Sequence, residues 1–166
     1  WAKTETRRVI MPQPEWHKSG YCWIRKGKVF SPALAYSDCP HGRIGGRLWV
    51  RETWRRPEYY EYDDFIEYEY KAGHPCPDAL KWKPAIHMPR SASRIALKIT
   101  NVRVERLQDM SDFCAKKEGL PSCSSDGVGV IGCLAGFVTL WDRINIKRGF
   151  GWDANPWVWV IKFKKI

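Results

Sequence analysis

Six polar residues close to the start of the chain carry groups that could perform acid–base or nucleophilic chemistry. They supply an amine, two hydroxyls, a carboxylate and two guanidinium groups, in the order Lys3-Thr4-Glu5-Thr6-Arg7-Arg8. If the segment is extended, Lys3, Glu5 and Arg7 share one face and the two threonines share the other. On a helical turn, Lys3, Thr6 and Arg7 would instead lie together. Both conformations predict a fixed cluster of donors, and the alternative is a solvated basic segment.

The length and charge of the chain predict one compact domain with a polyanionic partner. A chain of 166 residues suits one domain, and a fold of this size buries roughly 70% of the surface that its unfolded chain exposes. One core would therefore be stable without a metal or a disulfide. The 28 Lys and Arg residues exceed the 18 Asp and Glu residues, so the net charge is +10, which favours nucleic acid. Ten Trp, seven Tyr and six Phe could also stack on bases, although most are expected in the core.

The sequence lacks the signals of a membrane or secreted protein. No apolar run approaches the ~20 residues that a membrane-spanning helix needs, and no charged and apolar leader precedes the first turns. We therefore expect a soluble, cytoplasmic protein with no membrane partner and no obligatory protein partner. The chain begins with Trp1 rather than Met, so further residues could precede it in the complete protein.

The cysteine pattern gives little support to a metal site. The six cysteines form no Cys-x-x-Cys pair. Neither Cys39-Pro40-His41 nor His74-Pro75-Cys76 has the usual ligand spacing on both sides, so a zinc site is the minor alternative. No metal and no other cofactor is predicted. In a reducing cytosol these thiols would be buried or idle.

The first half of the chain is predicted to hold short strands between loops. A short strand over Val9–Met11 should stop at the prolines that follow it. A hairpin is predicted within Tyr21–Phe30, with its turn near Lys26-Gly27. Arg47–Trp54 alternates like one strand, and Phe65–Lys71 should form another after an acidic, aromatic stretch.

The second half is predicted to contain a long strand followed by a short helix. Alternating apolar residues indicate a strand over Ile95–Val104, whose phase slips near Thr100-Asn101 as at a β-bulge. Ser111 should cap a helix over Asp112–Glu118, which Gly119 would end in the left-handed conformation. Residues 120 to 136 are expected to form a mobile loop.

A second helix and a last strand complete the predicted fold. Phe137, Leu140, Trp141 and Ile144 recur at helical spacing, and this stripe is assigned to the core rather than to a ligand site. Trp157–Lys164 is apolar on both faces at first, so the strand should be central. These elements predict an α+β domain built on a curled or closed β-sheet with a few short helices.

Charged residues at the ends of these elements are candidate ligand contacts. Arg51 and Glu52 lie on opposite faces of their predicted strand, and ordinary surface ion pairing is the alternative. Arg90 and Arg94 belong to a basic segment and could contact phosphates. The helix dipole disfavours a carboxylate such as Glu118 at a helix C-terminus, which suggests a role for it beyond stability.

Four blocks of the sequence resemble the ASCH domain, a relative of the PUA RNA-binding barrel that is common in phage and prophage genomes. The resemblance covers nearly the whole chain and rests on Lys3–Arg8, Gly46–Thr53, Ala115–Gly119 and Gly149–Val160. It implies a PUA-like curled or closed β-barrel and a single ASCH domain over residues 1–166, without the strand and helix that usually precede the first motif. For a phage-encoded protein it also implies the cytoplasm of the bacterial host.

The resemblance further implies an active site. Some bacterial ASCH proteins are amidohydrolases that remove the acetyl group from acetylcytidine, and the matching residues in this chain are Lys3, Thr6 and Glu118. Amide cleavage needs a nucleophile, a base and a proton donor for the leaving amine. The resemblance implies these roles for Thr6, Lys3 and Glu118 respectively. The expected contacts to substrate or nucleic acid are Arg7, Arg8, Arg51, Glu52, Trp54, Arg90 and Arg94.

Two functions of different class stay open at this point. The first is an enzyme that hydrolyses an acylated pyrimidine nucleoside without a cofactor. The second is a non-catalytic RNA-binding module, or a ribonuclease, whose arginines contact phosphates. RNA binding would weaken steeply with salt, whereas hydrolysis of an uncharged nucleoside would depend little on it.

Overall fold

A computed structural model of the chain describes residues 3–16, 23–25, 28–30, 39–57, 68–120 and 133–166. These residues form an α+β fold on a strongly curled, antiparallel half-barrel of four strands with short helices, which confirms the predicted fold class. The described strands and α-helices are β1 (Glu5–Val9), β2 (Glu15–Trp16), β3 (Trp23–Arg25), β4 (Lys28–Phe30), β5 (Arg47–Trp49), β6 (Trp54–Arg55), β7 (Glu69–Tyr70), β8 (Ala96–Arg106), α1 (Asp112–Lys117), α2 (Cys133–Asn145) and β9 (Trp157–Lys165). Single 3-10 turns occupy Pro77–Ala79, Ala85–His87, Arg90–Ala92, Leu107–Asp109, Ile146–Arg148 and Trp152–Ala154.

The described strands belong to three sheets. The half-barrel has the strand order β1-β9-β8-β5, while β2, β3 and β4 form a second sheet and β6 pairs with β7. β1 runs antiparallel to β9, so that Glu5 lies opposite Lys162 and Val9 opposite Val158. The predicted hairpin is confirmed by the antiparallel pairing of β3 with β4. Its turn, at residues 26–27, lies outside the described residues.

By its internal contacts the chain divides into two compact units. The first comprises Trp1–Gly46 and Lys98–Lys164, and the second comprises Arg47–Leu97 and Lys165–Ile166. The single ASCH domain over residues 1–166 remains a prediction.

The core of the first unit forms around β9, which lies between β1 and β8 as predicted for the last strand. Trp159, Ile161 and Phe163 are buried on one face of this strand. The residues of the opposite face belong to a buried cluster with both helices, which contains Leu107, Met110, Ala115, Cys133, Phe137, Trp141, Val158 and Val160. Burial of both faces explains why this strand is apolar almost throughout.

The second unit has a smaller core around Trp54, which packs with Met88 and Ala92. The Trp54 ring meets the ring of Tyr68 edge to face at 5.5 Å between centroids. The Tyr70 hydroxyl donates to the Ala92 carbonyl at 2.6 Å. Trp54 is therefore a core residue of this unit.

The prediction of one strand over Arg47–Trp54 is wrong. The segment holds two short strands, β5 and β6, separated by irregular backbone at residues 50–53. The backbone changes partner here, because the Val50 N–H donates to the Ile95 carbonyl whereas Trp54 exchanges backbone hydrogen bonds with Lys83. Of the strand predicted over Phe65–Lys71, the structure shows β7 only, and residues 65–67 lie outside the described residues.

The long strand and the short helix agree with their sequence patterns. β8 is continuous, and its buried positions Leu97, Ile99 and Val102 keep the predicted slip of phase. Ser111 caps α1 by accepting a hydrogen bond from the Cys114 N–H at 3.4 Å. Gly119 follows this helix with φ of 90°, which confirms the predicted left-handed end.

The stripe on α2 is only half core, which corrects the prediction made for it. Phe137 and Trp141 are buried, as expected. Leu140 and Ile144 are 46% and 60% exposed, and both line a cavity in the first unit. An apolar stripe with i, i+3, i+4 spacing is about 100° wide. The core covers only the part of this stripe that carries Phe137 and Trp141, so Leu140 and Ile144 lie outside it. Of the loop predicted over residues 120–136, residues 121–132 lie outside the described residues and α2 begins at Cys133.

Candidate functional site

The polar segment at the start of the chain is extended. Pairing with β9 gives β1 the bounds Glu5–Val9, so the strand begins before the predicted Val9–Met11 and ends at its first residue. The Phe163 N–H donates to the Thr4 carbonyl and the Ile10 N–H to the Trp157 carbonyl. These bonds exclude the helical alternative for the segment. Glu5, Arg7 and Val9 therefore share one face of β1, and Thr6 and Arg8 share the other.

Helix α1 places Glu118 beside the start of β1. Glu118 is the residue that follows the last turn of the helix, and its N–H donates to the Ala115 carbonyl at 3.1 Å. The Thr4 N–H donates to the Lys117 carbonyl at 2.7 Å, which joins the polar segment to the helix end. Lys3 consequently lies within reach of the Glu118 carboxylate.

Seven charged side chains from β1, β8 and α1 form one ion network in the first unit. Glu118 accepts from Lys3 Nζ at 2.9 Å and from Arg7 Nη1 at 3.3 Å. Arg7 Nη2 also contacts Glu105 at 2.7 Å, and Arg7 Nε donates to the same Oε1 at 3.0 Å. The network continues through contacts of Arg103 with Glu105 and Glu5 and a contact of Lys117 with Glu5, at 3.0, 3.3 and 3.6 Å.

The centre of this network, at Arg7 and Glu118, is buried, whereas its outer members are partly exposed to solvent. The Arg7 side chain is 0% exposed and that of Glu118 is 6% exposed, whereas Lys3 is 41% exposed. A buried charge is tolerated when ion pairs and hydrogen bonds replace its water. Although burial opposes it, the carboxylates of Glu105 and Glu5 raise the pKa of Arg103 above its ordinary value. The network thus fixes the orientation of Glu118 and leaves Lys3 as its most exposed member.

A cavity of about 540 Å³ opens beside this ion network. Among the described strands β1 is at one end of its sheet, and Val9 from one face of this strand and Arg8 from the other both line the cavity. Its polar lining is Lys3, Arg7, Arg8, His41, Glu118, Asn145 and Arg148, and its apolar lining is Val9, Met11, Pro40, Phe137, Leu140, Trp141, Ile144 and Trp159. The volume and the mixture of apolar walls with a few fixed polar groups are typical of small-molecule sites.

His41 lies in this cavity next to a cation. Partial burial, reinforced by the positive charge of Arg8, lowers the pKa of His41 from its ordinary value of 6.5. The imidazole is therefore neutral at pH 7, with one nitrogen free to donate and the other to accept. The segment after His41 is joined to β8 by two backbone hydrogen bonds of 2.8 Å. The Gly45 N–H donates to the Ile99 carbonyl, and the Ile99 N–H donates to the Gly46 carbonyl.

The structure brings four of the predicted site residues to the cavity, namely Lys3, Arg7, Arg8 and Glu118. Thr6, by contrast, lies opposite Ile161 of β9, so its side chain is on the same face of the sheet as Ile161. Its hydroxyl accepts a hydrogen bond from Arg8 Nη1 at 3.0 Å, and the residue is 8% exposed. The catalytic roles of Lys3, Thr6 and Glu118 remain predictions.

The other predicted contacts, which are Arg51, Glu52, Trp54, Arg90 and Arg94, belong to the second unit. Arg94 forms a two-pronged pair with Glu52 at 2.8 and 3.0 Å and its guanidinium lies 4.0 Å from the centroid of Tyr70. Arg51 lies over the Trp49 ring at 4.7 Å. Arg90 is exposed in a 3-10 turn, and Arg51 and Arg94 are exposed as well.

Several residues of the site were missed by sequence reasoning. Glu105 and Arg103 complete the ion network, while His41 and Arg148 line the cavity. Alternation along β8 could have revealed the first two, because both lie on the face opposite Val102. The sequence marked His41 only as a possible zinc ligand and did not mark Arg148, since both reach the cavity through the tertiary fold.

We expect Gly119→Ala to destabilise the protein for two reasons, the positive φ of this residue and its close approach to Lys3. Its φ of 90° is unfavourable for alanine by roughly 1–2 kcal/mol, and an added Cβ would lie 3.0 Å from the Cβ of Lys3. Gly149→Ala is a matched control, since φ is 78° and no atom lies within 4 Å of its added Cβ. Urea unfolding should show a larger loss of stability for Gly119→Ala. Equal losses for the two variants would contradict the close approach of Lys3.

The described ranges contain neither a candidate metal site nor a helix that could span a membrane. There, no three His, Cys, Asp or Glu side chains are grouped so that they could hold a metal ion. No helix in those ranges is long and apolar enough to cross a membrane. His74 instead uses Nδ1 to accept from the Cys76 N–H at 3.1 Å.

Comparisons with known proteins do not identify a family. No protein-family model, no curated protein and no solved structure matches this chain significantly. The fold and the geometry of the cavity therefore carry the functional argument.

Proposed function

We propose that this protein is an ASCH-type, PUA-like domain that binds the base of a nucleoside or of RNA in the cavity beside β1. The observation that supports this best is the Lys3–Glu118 pair, at 2.9 Å, in a cavity that is also lined by aromatic and aliphatic residues. A nucleobase needs an apolar surface for its faces and fixed donors and acceptors for its edge. Lys3 and Glu118 supply a donor and an acceptor side by side.

The same pair supports a catalytic form of the proposal, the removal of the acetyl group from acetylcytidine. An oxygen nucleophile would attack the acetyl carbonyl, the C–N bond would break, and the departing cytosine nitrogen would take up a proton. Water is consumed and acetate and cytidine are released. In this proposal Lys3 would act as the base for the nucleophile. Glu118, held by Arg7 at 3.3 Å, would orient the exocyclic nitrogen and relay the proton to it. Thr6 would act as nucleophile only after its hydroxyl leaves Arg8.

Turnover is tested by chromatographic detection of cytidine released from acetylcytidine by the purified full chain. Lys3→Ala and Glu118→Gln should each lower the rate by about 10²- to 10⁴-fold, the usual contribution of a general acid or base. Thr6→Val tests the nucleophile separately. Lys116→Ala is the control, because Lys116 lies exposed on the same helix and should leave the rate unchanged.

Calorimetric binding of cytidine and acetylcytidine separates recognition from catalysis. Binding without release would leave a nucleoside-binding domain and reject the amidohydrolase. If neither nucleoside binds nor reacts, the proposal fails for free nucleosides, and RNA becomes the ligand to test. RNA binding should then fall steeply between 50 and 200 mM salt and weaken in Arg90→Ala, and RNA cleavage in the same samples would indicate a ribonuclease.

A further inference from the structure

Two guanidinium groups in the cavity lack a carboxylate partner among the described residues. The cations that line the cavity are Lys3, Arg7, Arg8 and Arg148, and Glu118 is the carboxylate there. The ion network already neutralises the first two. Arg8 Nη1 donates to the Arg7 carbonyl at 2.8 Å and to the Thr6 hydroxyl at 3.0 Å, and both acceptors are uncharged.

Arg148 is held in the same way by an uncharged acceptor. Its Nη1 donates to Asn145 Oδ1 at 3.3 Å. Asn145 is 6% exposed, and its own Nδ2 donates to the Trp141 carbonyl at 3.1 Å, so the acceptor is fixed to helix α2. The Arg148 guanidinium also lies 6.0 Å from the centroid of the Phe150 ring. Within the part of the chain that the structure describes, both arginines therefore line the cavity without a carboxylate to balance their charge.

Uncompensated guanidinium groups beside an apolar wall favour a ligand that carries its own negative charge. Arginine pairs with phosphate through two parallel hydrogen bonds, which are roughly twice as strong as bonds between neutral groups. His41 lies next to Arg8 and can add a further N–H donor. The apolar residues Leu140 and Ile144 meanwhile leave room for an uncharged ring system in the same cavity.

We propose that Arg8 and Arg148 form a phosphate subsite in this cavity, so that the preferred ligand is a nucleotide with a terminal phosphate rather than a free nucleoside. The assignment of the base rests on the proposed function above. The phosphate rests on the two arginines alone. A free mononucleotide and the phosphorylated end of an RNA chain share this chemistry.

The test is calorimetric titration of the full chain with the four common ribonucleosides, their 5′-monophosphates and inorganic phosphate. At least one monophosphate should bind about tenfold or more tightly than its nucleoside. Arg8→Gln and Arg148→Gln should each bring this ratio close to one. Arg143→Gln is the matched control, since Arg143 is exposed on α2 and does not line the cavity, and it should preserve the ratio.

Each other outcome overturns part of the argument in a distinguishable way. Equal affinity for nucleoside and monophosphate would reject the subsite and keep the proposed function. A ratio that survives both arginine substitutions would place the phosphate elsewhere. Inorganic phosphate binding as tightly as every monophosphate would show an adventitious anion site only. No binding of any nucleoside or nucleotide would reject the subsite for free nucleotides and the proposed function for free nucleosides. A short oligoribonucleotide that binds more tightly with a 5′-phosphate than without it, and more tightly than the mononucleotide, would identify RNA ends as the source of the phosphate.

Discussion

Arg7→Met should destabilise the protein by roughly 3–5 kcal/mol, the usual cost of removing one partner from a buried ion pair. The guanidinium is fully buried and serves both Glu105 and Glu118. Methionine retains much of the aliphatic length but leaves these carboxylates with one cation each, Arg103 and Lys3. Urea-induced unfolding, followed by tryptophan fluorescence, measures the loss as a lower midpoint with an unchanged slope.

Two further variants show whether buried charge causes this loss. Adding Glu118→Gln to Arg7→Met should restore part of the stability, because one stranded negative charge is removed. Arg94→Met makes the same substitution in a two-pronged pair with Glu52, in which Arg94 is 46% exposed, and should cost only about 1 kcal/mol. A loss for Arg7→Met no greater than that for Arg94→Met would refute the burial argument.

Trp141→Ala should cost about 3–5 kcal/mol and should also abolish nucleoside binding. The side chain is 6% exposed, stacks on Phe137 at 5.7 Å between centroids and donates its indole N–H to the Phe150 carbonyl at 2.8 Å. Truncation removes a large buried surface and leaves a cavity in the core. Because Trp141 also lines the ligand cavity, the wall of the site is lost with it. Thermal unfolding and calorimetry together measure both effects.

Leu140→Ala separates the two roles of this helix. Leu140 lines the same cavity but is 46% exposed, and alanine favours helix, so stability should change by less than about 1 kcal/mol. Binding should nonetheless weaken, since the ligand loses an apolar contact. Trp141→Ala with normal stability, or Leu140→Ala with unchanged affinity, would contradict the placement of α2 at the cavity.

The ion network orients Glu118, while the cavity exposes the cations that a ligand could contact. Buried contacts with Glu105 and Glu118 fix Arg7. Arg7 in turn restricts the Glu118 side chain to one orientation. Lys3 and the two arginines without carboxylate partners remain available to ligand. A preorganised centre beside unpaired guanidinium groups of the described residues is the basis of the proposed preference for anionic ligands.

The sequence by itself determined those features that depend on local interactions. Ser111 and Gly119 bounded α1 correctly, because capping and left-handed φ depend on residue type at one position. The apolar run at Trp157–Lys164 identified the central strand, since only a strand buried on both faces keeps such a pattern. The pairing of Lys3 with Glu118, in contrast, entered through the family resemblance and not through any spacing.

Only the tertiary structure decided which residues share the site. The octet Arg47–Trp54 alternates like one strand but divides in two, because its backbone exchanges Ile95 for Lys83 as hydrogen-bonding partner. The stripe on α2 could not show that Leu140 lies at a cavity, since helical periodicity fixes the direction of a side chain and not what covers it. Arg148 and His41 reach the cavity from segments more than 100 residues apart. Contacts at such separation depend on how the helices pack on the sheet, and no local preference of the chain specifies them.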